Sequence, residues 1–132
     1  MEQPKLKFVT QKAIEELTRN LNLEFYLKDY QDWEFIVGKS EDIEKYIDYY
    51  NSEIDDDNKF ALLEIIIQAT EEQEAENDFI KYSEIVQRLL SEDFQLHEHS
   101  IFYWSCFDID NMEDCWRITP IMRSLWKHGN IC

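Results

Sequence analysis

Histidine and cysteine residues in the last third of the chain are of a type that could bind a transition metal, because zinc accepts both as ligands. The set comprises His97, His99, Cys106, Cys115, His128 and Cys132. Its spacing argues against a zinc site, since the chain has no Cys-x₂-Cys pair and no two histidines separated by three to five residues. Cys106 and Cys115 lie among large apolar residues, where a reduced cysteine is usually a small buried side chain. We therefore predict no metal site and no cofactor.

The segment of residues 108–114, DIDNMED, is a second candidate for cation binding; we call it the acidic segment. Its carboxylates are Asp108, Asp110, Glu113 and Asp114. An EF-hand loop needs an oxygen ligand at its fifth position, glycine at its sixth and glutamate at its twelfth. Met112, Glu113 and Thr119 occupy those positions, so the calcium template fails. A hard-cation site of another geometry, a solvated loop and a contact with a partner all stay open.

Nucleophilic catalysis would need a serine or cysteine with a histidine brought close by the fold. The sequence has no G-x-S-x-G motif, and its two glycines, Gly38 and Gly129, leave no room for a phosphate-binding glycine loop. We therefore predict a protein that is not an enzyme. A small enzyme that uses the region from His97 to Cys115 is kept as a less favoured alternative.

Aromatic residues next to acids are the remaining candidates, because tyrosine and tryptophan flanked by carboxylates can anchor a basic partner. Trp104 and Trp116 bracket the acidic segment, and Tyr49 and Tyr50 precede a run of three aspartates. Aromatic residues are more often part of a core than of an interface. Each of them therefore has two interpretations, and we predict that Trp104 and Trp116 contact a partner.

Residues 54–76, IDDDNKFALLEIIIQATEEQEAE, predict the central helix. From Phe60 to Ile67 only Glu64 is charged, as expected of a helix buried between others. The acids at its start suit a helix N-terminus, where capping and the helix dipole favour negative charge: Asp55, Asp56 and Asp57. Those at its end would lie at the negative pole of the same dipole: Glu71, Glu72, Glu74 and Glu76. We predict that both groups bind a partner, the second above all because folding does not explain it.

Helical periodicity continues on both sides of this helix. A cap at Thr10 begins a helix over residues 11–22, a cap at Ser40 begins another, and further helices are expected over residues 78–91 and 97–107 and from Thr119–Pro120 to Gly129. Residues 23–30 fit a helix or an extended segment, and residues 33–37, WEFIV, fit a short strand or an extended connector. The sequence predicts one all-α domain over residues 1–132, a bundle or short HEAT-like array of about six to seven helices.

The charge of the chain restricts its partners. The net charge is −16, and residues 41–78 hold fourteen acids and two bases. Such a field repels nucleic acid and anionic membranes and attracts basic proteins, although a solvated acidic face without a partner is the simpler alternative. The first residues lack an apolar signal region, no apolar run is long enough to span a membrane, and the three cysteines form no framework. We expect a cytoplasmic protein with reduced thiols.

The overall sequence pattern of the chain is set by three stretches: DDDNKFALLEIIIQ followed by an acidic gap, IVQRLLSEDFQLHEHSIFYW, and ITPIMRSLW. In this overall pattern the chain resembles small acidic immunity proteins of bacterial polymorphic-toxin and contact-dependent inhibition systems. The resemblance implies that the chain binds a co-produced toxin, often a basic nuclease, and blocks its active site or substrate groove. Carboxylates would then stand in for nucleic-acid phosphates. The alternative is a DNA mimic or adaptor that inhibits a nucleic-acid-binding protein of the host.

Overall fold

The computed structural model describes residues 3–23, 33–52 and 54–129, and within them it contains α-helices and 3₁₀ turns but no β-strand. The helices are α1 (Gln11–Leu21), α2 (Trp33–Ile36), α3 (Ile43–Tyr50), α4 (Asp56–Glu71), α5 (Glu76–Glu92), α6 (Glu98–Trp104) and α7 (Thr119–Gly129). The 3₁₀ turns are Ser40–Asp42 and Met112–Asp114. The all-α prediction is therefore confirmed. None of the helices in the described part of the chain is long and apolar enough to cross a lipid bilayer.

Backbone contacts divide the chain into two compact units. The central unit comprises the described residues from Phe8 to Glu74, and the C-terminal unit comprises the described residues of 3–7 and 75–129. The single-domain organisation stays a prediction. Each unit has its own helices and its own buried side chains.

The central unit is built around α4. Every residue from Phe60 to Ile67 is buried, including Glu64 at 5% exposure, which confirms the prediction of a helix enclosed by others. The helices α1, α2 and α3 all pack on it. Gly38 brings the backbone close to α4, because a Cβ at this position would lie 2.8 Å from Cγ2 of Ile65.

Two predicted helix caps are present in the central unit. Thr10 Oγ1 accepts a hydrogen bond of 3.1 Å from the Ala13 amide at the start of α1, and Asp55 Oδ1 accepts one of 2.8 Å from the Asn58 amide at the start of α4. Each satisfies one of the backbone donors that a helix N-terminus leaves without an intrahelical partner. Asn22 ends α1 in the left-handed conformation, with φ of 54°, which asparagine tolerates better than most residues.

Two predictions near residues 33–43 are wrong. Residues 33–36 form the short helix α2 instead of a strand, and the Val37 amide donates to Trp33 O at 3.1 Å. The described residues offer no strand for this segment to pair with, so its backbone is satisfied locally. Trp33 and Val37, four residues apart, are both buried. Ser40 is not a cap: it opens the 3₁₀ turn, and α3 begins at Ile43. Most of the ambiguous stretch 23–30 lies outside the described residues.

In the C-terminal unit, α7 packs on both α5 and α6. Its buried side chains include Met122, Leu125 and Trp126. Thr119 is the first residue of α7 and not its cap, because its hydroxyl donates a hydrogen bond of 2.9 Å to Trp104 O at the end of α6. The helix α6 is shorter than predicted and ends at Trp104, which leaves residues 105–118 to form an irregular connection that contains the acidic segment.

Candidate functional site

An open cavity of about 900 Å³ lies within the C-terminal unit, beside the acidic segment. We call it the aromatic-acidic cavity. Its volume is in the range of small-molecule and peptide side-chain sites. Its walls come from α6, from the connection that follows α6 and from residues near the start of the chain: Gln3, Pro4, Leu6, His99, Phe102, Tyr103, Cys106, Phe107, Asp108, Ile109, Asp114 and Trp116. The cavity thus brings together Asp108, Asp114 and Trp116 of the predicted site.

Three aromatic rings form one wall of the cavity and its support. The ring centroids of Tyr103 and Trp116 are 5.4 Å apart with an interplanar angle of 30°, and those of Trp104 and Trp116 are 4.5 Å apart. Tyr103 is 45% exposed and Trp116 is half-buried, whereas Trp104 is only 1% exposed. The prediction that Trp104 contacts a partner finds almost no exposed surface, because its ring is enclosed in the core and supports Trp116 from behind.

Tyr103 is the surface aromatic residue that the predicted site lacked. It directly precedes Trp104 on α6. Consecutive residues of a helix point about 100° apart, so the residue next to the buried Trp104 lies nearer the surface. The sequence shows the adjacent pair but cannot say which of the two is inside.

The acidic segment divides into two pairs of carboxylates. All four are exposed, but only Asp108 and Asp114 line the cavity, while Asp110 and Glu113 do not. Within the described residues, neither Asp108 nor Asp114 forms an ion pair. The Asn111 side chain accepts a hydrogen bond of 3.1 Å from the Glu113 amide, which helps to hold the 3₁₀ turn that carries Asp114.

Arg123 on α7 holds the start of the connection in place. Its Nε donates to Ser105 O at 2.6 Å, and its Nη2 donates to Cys106 O at 2.8 Å and to Ile109 O at 3.3 Å. A cation is also favourable at the negative end of α6. The backbone there turns sharply, since Cys106 has a φ of 56°. Arg123 therefore positions the chain that leads into Asp108.

The role of Arg123 is not evident from the sequence. The one available signal is its spacing from Thr119, because residues four apart lie on the same helix face. Both side chains donate to carbonyl oxygens at the end of α6. The acceptors are backbone atoms, so no residue type in the sequence marks them.

Cys106 is a buried thiol beside the cavity. Burial, the neighbouring Cys115 thiol and the Asp108 carboxylate together raise the pKa of Cys106 to about 11, against a smaller lowering by Arg123. A cysteine acts as a nucleophile in its thiolate form. Cys106 is therefore a thiol at neutral pH, and this argues against its use as an activated nucleophile.

The histidines and cysteines considered for zinc have different surroundings. His97 is completely buried, and His128 is exposed on α7 with Nδ1 2.7 Å from Ser124 O. Among the residues that the structure describes, no three His, Cys, Asp or Glu side chains converge so that they could hold a metal ion. Cys132 lies outside those residues.

The acids of the central helix form two separate patches. The exposed side chains of Asp55, Asp56 and Asp57 lie at the N-terminus of α4, and Glu71 and Glu72 lie at its C-terminus. A helix of 16 residues is about 24 Å long. Its middle is buried, so the two groups do not join along the helix. The acidic segment belongs to the other compact unit.

The predicted position of Glu76 at the end of the central helix is wrong. The sequence placed it beyond the C-terminus of α4, but α5 begins at Glu76, so its carboxylate lies at the positive end of a helix dipole. Glu74 lies in the connection between the two helices. The unfavourable position therefore applies to Glu71 and Glu72 alone. Glu72 accepts a hydrogen bond of 2.9 Å from the Gln68 side chain.

Comparisons with protein-family models, with curated proteins and with solved structures find no match to this chain.

Proposed function

We propose that this chain is a non-catalytic acidic binding protein that neutralises a basic toxin domain by direct contact, as an immunity protein does. The observation that carries the proposal is the aromatic-acidic cavity, where exposed Tyr103 and half-buried Trp116 stand beside Asp108 and Asp114. Interfaces are energetically centred on aromatic anchors surrounded by polar groups. The cavity has both components on one surface.

The charge of the molecule supports the same function. A net charge of −16 accelerates encounter with a basic partner and disfavours nucleic acid and anionic membranes. A nuclease has a basic groove for phosphates, and exposed carboxylates can occupy it in their place. The proposed site of action is the cytoplasm, where the thiols of Cys106 and Cys115 would stay reduced.

The test is co-purification with the product of the adjacent gene, followed by calorimetry on the purified pair. We expect a complex whose affinity falls with added salt and falls again in the Asp108→Asn/Asp114→Asn variant. If the adjacent gene encodes a basic toxin domain and the two correctly folded proteins do not bind each other at low salt, the proposal is refuted. An adjacent phage gene, with binding to a host DNA-binding protein instead, would favour the DNA mimic.

A second variant decides the role of the central unit. Asp55→Asn/Asp56→Asn/Asp57→Asn removes three charges, and asparagine at position 55 still caps α4. The helix therefore stays intact while the patch loses its charge. Reduced affinity and a smaller salt dependence would place this patch in the interface. If both stay unchanged, the patch lies outside it.

A further inference from the structure

The geometry points to a specific occupant of the aromatic-acidic cavity: an arginine side chain carried by the protein partner. This inference rests on the proposed function, because it names the group of the basic partner that the site recognises. It concerns four side chains, Tyr103, Asp108, Asp114 and Trp116, which all line the same cavity.

The walls of the cavity favour a cation. Tyr103, 45% exposed, and the half-buried Trp116 both line the cavity, and a guanidinium group binds well over an accessible aromatic ring. The same unit uses this contact internally, since the Arg117 guanidinium carbon lies 4.2 Å from the Phe79 ring centroid. The aromatic wall therefore provides a surface on which a planar cation can lie.

The two carboxylates are not matched by a lysine or arginine in the part of the cavity wall that the structure describes. Asp108 and Asp114 form no ion pair within the described ranges. A cation from outside would thus meet two carboxylates whose charges are still available.

Arginine fits this combination better than lysine. Its planar guanidinium can lie on an aromatic face while its N–H groups reach carboxylates at its edge, whereas an ammonium group is compact and strongly hydrated. A cavity of about 900 Å³ is also far larger than one guanidinium group. A segment of a protein, with neighbouring residues entering beside the arginine, fills it better than free arginine does.

The site is preorganised on the side of its carboxylates. Arg123 fixes the backbone from Ser105 to Ile109, and the Asn111 side chain fixes the turn that leads to Asp114. Groups held in place before binding lose less conformational entropy when a partner arrives. The two aspartates are therefore presented at a defined position.

The first experiment uses a short glycine-flanked peptide with one arginine, and the same peptide with citrulline, its uncharged isostere. The probe is the indole N–H signal of Trp116, assigned by its loss in Trp116→Phe. We expect the arginine peptide to shift this signal saturably and to bind at least tenfold more tightly than the citrulline peptide, a difference of about 1.4 kcal/mol. Equal binding of the two peptides would overturn the inference.

The second experiment uses two variants with the same change in net charge. Asp108→Asn/Asp114→Asn removes the cavity carboxylates, and Asp110→Asn/Glu113→Gln removes the carboxylates of the acidic segment that do not line the cavity. We expect roughly tenfold weaker binding for the first variant and less than about a twofold change for the second. Equal losses in both would show a general charge effect and would refute the cavity as the site.

These results separate the inference from the proposed function. If the toxin domain binds and its affinity is unaffected by Asp108→Asn/Asp114→Asn, the inference fails while the proposed function stands. If the toxin domain does not bind, the proposed function fails whatever the peptide does. Circular dichroism and thermal unfolding of each variant confirm that the fold is retained.

Discussion

Single side chains decide the geometry of the candidate site, and Arg123 is the first to test. Its guanidinium donates to three backbone oxygens between Ser105 and Ile109, and hydrogen bonds from a charged group contribute more than neutral ones. We expect Arg123→Met to lower the free energy of unfolding by about 2–3 kcal/mol, measured by urea denaturation. Arg123→Lys keeps the charge but not the planar fork and should lose about half as much. An Arg123→Met protein as stable as the wild type would contradict this role.

His99 provides a prediction about pH. Burial lowers the pKa of His99 from its ordinary value of 6.5, so between 6.5 and the lower folded value the unfolded chain binds more protons. The contribution of the neutral His99 side chain to the free energy of unfolding is therefore fully present above about pH 6.5. It is lost as the pH falls through the folded pKa. We expect His99→Gln to lose less stability than the wild type between about pH 7 and pH 5.

The measurement is the difference between the unfolding free energies of wild type and His99→Gln across this range. Taking the difference cancels the carboxylates, which titrate in both proteins. A difference that stays constant with pH would show that the histidine is not held neutral by its surroundings.

At the scale of elements, two glutamates allow a comparison of the two ends of a helix dipole. Glu72 lies at the C-terminus of α4 and Glu76 at the N-terminus of α5. The helix dipole disfavours a carboxylate at the first position and favours it at the second, by about 0.3–1 kcal/mol each. We expect Glu72→Gln to raise the thermal midpoint and Glu76→Gln to lower it. Shifts of the same sign would mean that another interaction outweighs the dipole.

This pair also refines where a partner contact is to be sought in the central unit. Once Glu76 is explained by the start of α5, the acids that folding does not explain reduce to Glu71 and Glu72. A stabilising Glu72→Gln substitution that also weakened partner binding would show that stability is sacrificed for an interaction. If the substitution stabilises the protein but leaves partner binding unchanged, Glu72 is an unfavourable charge without a role in that interaction.

At the scale of the whole molecule, the net charge of −16 sets opposite responses to salt for folding and for binding. Like charges repel in the compact state, and raising the ionic strength from about 0.01 M to 0.15 M shortens the screening length from about 30 Å to 8 Å. We expect the thermal midpoint to rise over this range while association with a basic partner slows.

The control is Asp55→Asn/Asp56→Asn/Asp57→Asn, which carries three fewer negative charges. Its thermal midpoint should rise less with salt than that of the wild type. Differential scanning calorimetry measures the midpoint, and stopped-flow mixing measures the association rate. A midpoint that falls with salt in both proteins would show that ion pairs outweigh repulsion.

The sequence by itself determined the helical class, the buried central helix and the N-terminal caps of α1 and α4. These features depend on residues within one or two turns of each other: the apolar run from Phe60 to Ile67, the Asp55 cap and the Thr10 cap. Periodicity and capping are local, so they can be read along the chain. The ends of helices are not local in this sense, since the dipole that Glu76 experiences depends on where α5 begins.

Only the tertiary structure decided which acidic and aromatic residues meet. Trp104 points inward and Tyr103 outward because α6 packs on α7, and Asp108 and Asp114 line the cavity while Asp110 and Glu113 do not. The contact that arranges them runs from Arg123 to backbone oxygens 14 to 18 residues earlier. Backbone acceptors are common to every residue type, so nothing in the sequence identifies them, and the site exists only once α7 lies against α6.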